Sequence, residues 1–499
     1  MPCAQIGSVF GGRREQLRWL AALLLCGAAP AGAAAPGPEV APFIVISSPA
    51  VALRHVNVID GTGGAPRRDQ TMVFLEGRIA AVGPAATTPI PAGAEVHDYP
   101  GHTVLPGLVG LHNHLYYVAS ATLQRSAGSA REPGILLTEL AYSAPRLYLA
   151  AGVTTLRTTG STTPYADLKV RSRIDAGLMP GPKLDVTAPY LEGPPTQFAE
   201  MHELSSAEEA RKFVSFWADS GMTSFKAYMH ITRAELAAAT EEAHRRGFKL
   251  TGHLCSVSWP EAVAVGIDDL EHGPIVGDSE FVPTKTPDVC PDRKAMDAAW
   301  LATAIDGTKV QGLIRLLVEH HVAVTSTLPV LEASVFGRPP PQRRVLEAMS
   351  SAARESYLAA RAMLDPADAT RATLFAKEMQ FERAFVTAGG LLLAGPDPTG
   401  NGGVVPGFGD QREVELLVEA GFSPVEAIQV ATLNGARYLG REKETGTLER
   451  GKRADVVLVM GDPSAHILDI ENVEVVFKDG VGYDSPRLIE SVRGQVGIR

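Results

Sequence analysis

The stretch Val104-Leu-Pro-Gly-Leu-Val-Gly-Leu-His-Asn-His-Leu115 runs apolar and then ends in two histidines one residue apart. A short apolar run with a Pro-Gly break reads as a buried strand. Residues two apart on a strand share a face, so His112 and His114 point the same way. Two neutral imidazoles so placed can bind one metal ion, provided that they sit where the strand leaves the core. Taken alone, a pair at this spacing is common. Its meaning depends on what the rest of the chain supplies.

Downstream of this pair, strands and helices alternate. Gly152-Val-Thr-Thr-Leu156 reads as a strand. Ser205 with Glu208 predicts a capping box, followed by Ala210, Phe213, Val214 and Trp217 at helical spacing. The strand Thr223-Ser-Phe-Lys-Ala-Tyr228 follows, and Thr232 with Glu235 caps a second helix. Phe248-Lys-Leu-Thr-Gly-His253 is the next strand. A short helix opens at Pro260, and the strand Ile267-Asp-Asp-Leu-Glu-His272 comes after it. Val322-Ala-Val-Thr-Ser326 and Gly390-Leu-Leu-Leu-Ala394 are later strands, and Ser423-Pro-Val-Glu426 is another capping box. Repeated βα units of this length predict an α/β fold with a parallel sheet, most simply a closed (β/α)8 TIM-like barrel over residues 107–440.

The flanks have a different character. Val51-Ala-Leu-Arg-His-Val-Asn-Val-Ile59 alternates and ends in the turn Asp60-Gly61, and Thr71–Leu75 and Arg78–Val82 flank the turn Glu76-Gly77. Ala454–Val459 and Val473–Phe477, then Asp479-Gly480, repeat the pattern at the other end. These segments predict a small β-sandwich built from both chain ends, residues 35–106 and 441–499.

Polar residues collect at the ends of the middle strands. His112 and His114 end the first, Lys226 lies on a middle one, His253 and His272 end the next two, and Asp397 follows the last. Barrel active sites are built at that end. Imidazoles and carboxylates are ligands that suit zinc and similar ions. His230 and Thr325 are further polar residues near strand ends, and His320-His321 closes a helix, where a positive ring suits the dipole.

The chain has 499 residues, 45% hydrophobic and 20% charged, with a net charge of -10. That length predicts a large catalytic domain plus a smaller one. The acidic balance and the lack of a basic stripe exclude nucleic acid as a partner. Arg13, Arg14 and Arg18 precede the apolar run Trp19–Ala29, and Ala31-Gly-Ala33 fits a cleavage site. Residues 1–34 therefore read as a signal peptide, the run being too short to span a bilayer. The mature protein is expected in the periplasm or secreted, with no membrane contact after signal removal. Either general secretion or the twin-arginine route is open. Of the cysteines, Cys255 and Cys290 remain after cleavage, as a pair or as free thiols.

Taken together, Asp60-Gly-Thr-Gly63, Leu105-Pro-Gly-Leu108, His112-Asn-His114, Gly152-Val-Thr-Thr155, Gly252-His253, Glu271-His-Gly273, Asp397, Thr432-Leu-Asn-Gly-Ala436 and Gly446–Asp455 resemble the amidohydrolase superfamily. The closest likeness is to the branch of imidazolonepropionase-like proteins and metal-dependent Xaa-Pro or Xaa-Arg dipeptidases. The resemblance covers nearly all of the mature chain.

The resemblance implies two divalent metal ions, zinc by preference. His112, His114 and Asp397 would hold the more buried ion, and His253 and His272 the second. Lys226 matches a position that relatives carboxylate with CO2, giving a carbamate that bridges both ions. A bridging hydroxide would attack an amide carbonyl, with Asp397 taking its proton and passing it to the leaving nitrogen. Tyr228, two residues after Lys226 on its strand, resembles a tyrosine that binds a substrate carboxylate or polarised carbonyl. Small N-acyl amino acids or dipeptides, amide-linked mycotoxins among them, are the implied substrates. A cyclic amide, amidine or lactone is the alternative, and a metal-binding scaffold without catalysis is a third reading. The resembled branch also implies a homo-oligomer.

Two stretches depart from the pattern. Leu156-Arg-Thr-Thr-Gly160 lacks the acidic residue that relatives often carry after the arginine, and Ala394-Gly-Pro-Asp397 has proline where threonine is usual. Long segments, 125–134, 281–291 and 336–344, are expected to wall the site. Their arginines, and Arg293 beside them (Arg125, Arg131, Arg293, Arg338, Arg343, Arg344), are candidates for binding a carboxylate.

Overall fold

The computed structural model describes residues 36–118, 137–196, 198–399 and 403–497. The expected signal peptide, and Arg125 and Arg131, lie outside them. The N-terminal strands are β1 (Ile44–Ile46), β2 (Ala50–Val58), β3 (Arg67–Leu75), β4 (Arg78–Pro84), β5 (Glu95–Asp98) and β6 (His102–Pro106). The middle of the chain gives β7 (Leu108–Gly110), β8 (Tyr116–Val118), β9 (Leu137–Glu139), β10 (Val153–Arg157), β11 (Lys183–Asp185), β12 (Phe225–Ala227), β13 (Leu250–Gly252), β14 (Asp269–Glu271), β15 (Ala323–Ser326) and β16 (Leu392–Ala394). The last three are β17 (Val456–Met460), β18 (Val473–Lys478) and β19 (Val481–Asp484).

One nine-stranded sheet runs in the order β1-β19-β18-β17-β6-β2-β3-β4, with β5 beside β2. Strand β17 pairs antiparallel with β6, Leu458 opposite Val104. Both ends of the chain therefore share one sheet. On β2, Val51 and Leu53 and, past an irregularity at His55, Val56 and Val58 join a core with Met72, Phe74, Leu458 and Phe477. The rings of Phe74 and Phe477 meet edge to face, 5.0 Å apart.

The middle of the chain is mixed α/β. Strands β7, β10 and β11 pair in parallel, as do β12 to β16 in sequence order. Backbone hydrogen bonds cross both gaps between these sheets. Ala188 N donates to Ser224 O at 2.9 Å and Leu191 N to Lys226 O at 2.9 Å, while Leu111 N donates to Ala394 O at 2.8 Å. The strands are buried on both faces, which is why they read as near-continuous apolar runs. Among the described residues, no helix is long and apolar enough to cross a membrane.

Helix starts follow side-chain chemistry. Thr232 with Glu235 and Ser423 with Glu426 form capping boxes as expected, with Pro424 opening the second helix. The expected box at Ser205 and Glu208 is shifted by one residue. Ser206 caps the helix Ala207–Asp219 by accepting from Glu209 N. Glu209 takes the reciprocal role, accepting from both the backbone and hydroxyl of Ser205. Two serines in a row offered two registers, and the carboxylate that reaches back decides between them.

Cys255 and Cys290 are joined in a disulfide. It ties the turn after β13 to the end of segment 281–291. Chain entropy alone makes a link across a separation of 35 residues worth about 3–4 kcal/mol. Reduction, or the double change Cys255→Ser/Cys290→Ser, is expected to lower the urea midpoint of unfolding by a matching amount. Denaturation followed by circular dichroism checks this, and an unchanged midpoint contradicts it.

Candidate metal centre and active-site cavity

The strand ends bring their polar residues to one cavity of about 230 Å3. His112, His114, Lys226, Tyr228, His253, His272 and Asp397 all line it. A neighbouring cavity of about 290 Å3, between Pro329, Tyr357 and Phe408, contains none of them.

His112 and His114 follow β7 and are 1% exposed. His114 is fixed on both sides of its ring: Nδ1 lies 3.1 Å from Thr158 O, and Nε2 lies 3.0 Å from Asp397 Oδ1. His112 Nε2 is 3.5 Å from the same carboxylate oxygen. Asp397 holds this place in a left-handed conformation, φ 52°, just beyond β16. Its own N–H donates to His112 O at 3.0 Å. Gly395 allows that approach, since a Cβ there would lie 2.3 Å from His112 N.

Lys226 is the middle residue of β12 and is buried. Its Nζ lies 3.2 Å from His112 Nε2 and 2.8 Å from Glu271 Oε2. Tyr190 and Tyr228 present their rings to it, with centres 5.3 and 5.8 Å away. His272 is oriented by Thr327 Oγ1, 2.8 Å from Nδ1. The His253 ring packs 4.2 Å from that of His272 and 5.1 Å from that of Tyr228.

Among the described residues, two groups of His, Cys, Asp or Glu side chains bring ligand atoms within 4.8 Å of one another: His112, His114 and Asp397, and His112, Glu271 and His272. The first is the predicted set for the more buried ion. The second replaces His253 with Glu271, a residue that sequence reading left without a role. Alternation along β14 would turn Glu271 away from His272. The strand ends at Glu271, however, and His272 has φ 67°, so both side chains reach the site.

Burial holds His112, His253 and His272 neutral. Desolvation, then Lys226, pulls His112 well below the usual histidine range and His253 down to about 3. Desolvation, then His253, does the same to His272. Desolvation likewise raises the Glu271 carboxyl, against the pull of Lys226 and Arg157, and keeps the phenols of Tyr116, Tyr190 and Tyr228 protonated. Neutral imidazoles with a carboxylate at bonding range are a donor set that suits a zinc-class divalent ion. The residues present fit such a metal.

Beneath the ligands lies a charge network. Arg157 Nη2 donates to Asp269 at 2.7 Å and lies 3.4 Å from Glu271, while its Nε donates to Leu111 O at 2.7 Å. Thr251 donates to both carboxylates, and Thr325 to Asp269. Thr325 therefore acts below the site rather than in it. His230 pairs with Glu192, 3.5 Å away, and does not line the cavity.

The upper walls are apolar and aromatic: Tyr116, Leu137, Tyr190, Phe198, Met201 and Met229. Tyr116 stacks on His114, and its hydroxyl bonds to that of Tyr190. No sequence signal joined these tyrosines, which lie 74 residues apart. Four candidate arginines have partners elsewhere: Arg293 with Asp297, Arg338 with Glu332 and Glu419, Arg343 with Glu347, and Arg344 with Glu471. None of these four lines the cavity.

A family model described as Amidohydrolase family matches residues 103–333 and 401–481. Among solved structures, a Xaa-Pro dipeptidase with bound methionine is 19% identical at a TM-score of 0.62, covering 87% of this chain and 100% of that one. A. niger ochratoxinase is 19% identical at a TM-score of 0.61, covering 90% and 100%. A 5-methylthioadenosine/S-adenosylhomocysteine deaminase of Moorella thermoacetica is 56% identical over 50 residues, 10% of this chain and 11% of that one. The chain thus matches about a tenth of that curated relative's length.

The depressed histidines set a pH dependence. A lowered pKa keeps the imidazole in its metal-binding form as pH falls through the ordinary value of about 6.5. Metal per chain, measured by mass spectrometry after equilibration at each pH, is expected to hold through pH 6.5 and be lost only well below it. Loss with a midpoint at or above 6.5 contradicts this.

Proposed function

The chain belongs to the amidohydrolase family, and from that premise we propose that it is an exported, binuclear metal-dependent hydrolase of amide bonds in small N-acyl amino acids or dipeptides. The single observation that carries the reading is the convergence of His112, His114, Asp397, Lys226, His253 and His272 on one cavity, with Glu271 beside Lys226, His112 and His272. We carry over the wider frame as well: a closed (β/α)8 barrel over 107–440, supported by the hydrogen bonds across both seams, and a β-sandwich from 35–106 and 441–499.

His112, His114 and Asp397 would hold one ion, and His253 and His272 a second, with Glu271 within reach of the second. Lys226, carboxylated, would bridge the two. An unmodified ammonium beside two dications is repelled, whereas a carbamate supplies anionic oxygens. When bound, the ions supply an activated water at neutral pH and polarise the scissile carbonyl. The chain's own residues do the rest. Asp397 accepts the proton of the attacking water and delivers it to the leaving nitrogen, which must depart as an amine. Tyr228 is a neutral donor for the substrate carbonyl or carboxylate. The aromatic walls exclude water and hold the acyl or side-chain group.

The solved dipeptidase and ochratoxinase support small amide substrates, amide mycotoxins included. The short match to a deaminase supports keeping a cyclic amide or amidine as the second substrate class. The disulfide supports export to the periplasm or beyond, since such links persist in oxidising compartments. Assembly as a homo-oligomer is part of the proposal.

The test is metal per mature chain beside a panel of dipeptides, N-acyl amino acids and cyclic amides. About two ions with release of a free amino acid is the expected result. Asp397→Asn is expected to retain metal and lose about 10²- to 10⁴-fold in turnover; unchanged turnover overturns the role of Asp397. Lys226→Ala is expected to bind at most one ion. Wild-type metal content and activity in that variant would rule out the carbamate bridge.

A further inference from the structure

The helix Phe408–Glu419 begins just past Asp397 and turns an acidic face inward. Asp410 is 5% exposed and Glu413 is fully buried. They lie three apart, so they share a face of the helix. Such groups are rarely buried unless they hold something.

Each holds the end of a different strand. Glu413 accepts a hydrogen bond from Ser326 Oγ at 2.6 Å, at the end of β15. Asp410 Oδ1 accepts from Asn113 Nδ2 at 3.0 Å, and its other oxygen accepts from Gly407 N at 3.0 Å. Asn113 is wholly buried and stands between the two histidines. Its backbone N–H donates to Arg157 O at 3.2 Å, so its side chain and backbone are fixed from two directions. The approach depends on Gly110: a Cβ there would lie 1.9 Å from Asn113 Nδ2 and 2.8 Å from Asp410 Oδ1.

We infer that Asp410 is a positioning residue for the metal ligands. It grips Asn113 and so sets the turn that carries His112 and His114 into the cavity. The same helix, through Glu413 and Ser326, also braces β15. The segment carrying Asp397 runs between these two points, since Gly395 N donates to Ser326 O and Asp397 N to His112 O, both at 3.0 Å. One helix face thus sets the relative placement of the two imidazoles and the carboxylate. This inference rests on the metal-hydrolase reading above.

The test is metal affinity, by competition against a chelator, on the mature protein. Losing an outer partner of metal ligands typically costs about 10- to 100-fold in affinity, and Asp410→Ala is expected to fall in that range. Asp410→Asn keeps an oxygen acceptor for Asn113 but gives up the one for Gly407 N, and is expected to lose less affinity than Asp410→Ala. Asn113→Leu removes the same bond from the other side and is expected to match Asp410→Ala; it carries the test if Asp410→Ala does not fold. The cobalt(II) absorption spectrum at saturating metal separates positioning from general destabilisation. It is expected to shift in Asp410→Ala and Asn113→Leu and to lie nearer wild type in Asp410→Asn. Wild-type affinity and spectrum in both Asp410→Ala and Asn113→Leu overturn the inference. A wild-type chain that takes up no metal overturns the metal-hydrolase reading itself, and this inference with it.

Discussion

The guanidinium of Arg157 is the interaction on which the site depends. It is buried below the ligand cluster and meets Asp269 and Glu271 there. Two ionised carboxylates side by side in a dry interior need a cation, because unpaired charge is expensive to bury. With Arg157 beneath and the unmodified Lys226 above, Glu271 has a cation on either side; in the carboxylated form proposed above, the metal ions would take the place of the Lys226 charge. That arrangement lets acidic and basic groups crowd to within bonding distance. The threonines complete the lattice, each giving a hydroxyl proton to a carboxylate oxygen. The residue that relatives often have after this arginine is absent, yet the arginine itself keeps a full set of partners.

Much of this was legible in the sequence because strand geometry is simple. Period-two spacing pointed His112 and His114 at one site, and both line the cavity, although they lie past the end of β7 rather than within a strand. The ends of successive apolar runs marked His253, His272 and Asp397, all of which line the cavity. The flanking segments read as sheet, and sheet they are. What escaped reading was conformation outside the regular menu. Glu271 enters the site because His272 leaves β-geometry, and a left-handed backbone at a non-glycine residue has no sequence signature here. The tyrosine pair, the pairing of Cys255 with Cys290 and the partners of the loop arginines are long-range facts that local pattern cannot hold. The serine cap moved by one residue for a local reason, two adjacent serines competing for one role.

The cavity separates two kinds of chemistry. Its floor is charged and hydrogen-bonded, and fixed by strand ends. Its walls are rings and thioethers from the segments that follow β7, β11 and β12. Rings and methionines adapt to shape at little cost, whereas the floor has fixed geometry. A site so divided can keep one reaction while its walls fit different acyl groups.

The shared sheet has a consequence for how the molecule is made. Thr103, at β6, donates to the carbonyl of Gly461, beyond β17, across 358 residues of chain. Strand β6 leads directly into β7 and the two histidines, so the segment that carries the first ligands borders a sheet whose other half is synthesised last. Pairing of such sequence-distant strands is slow, because loop closure precedes the contacts that reward it. Until then β6 presents an open edge. A nascent or shortened form would have its histidines but not the sheet that backs them.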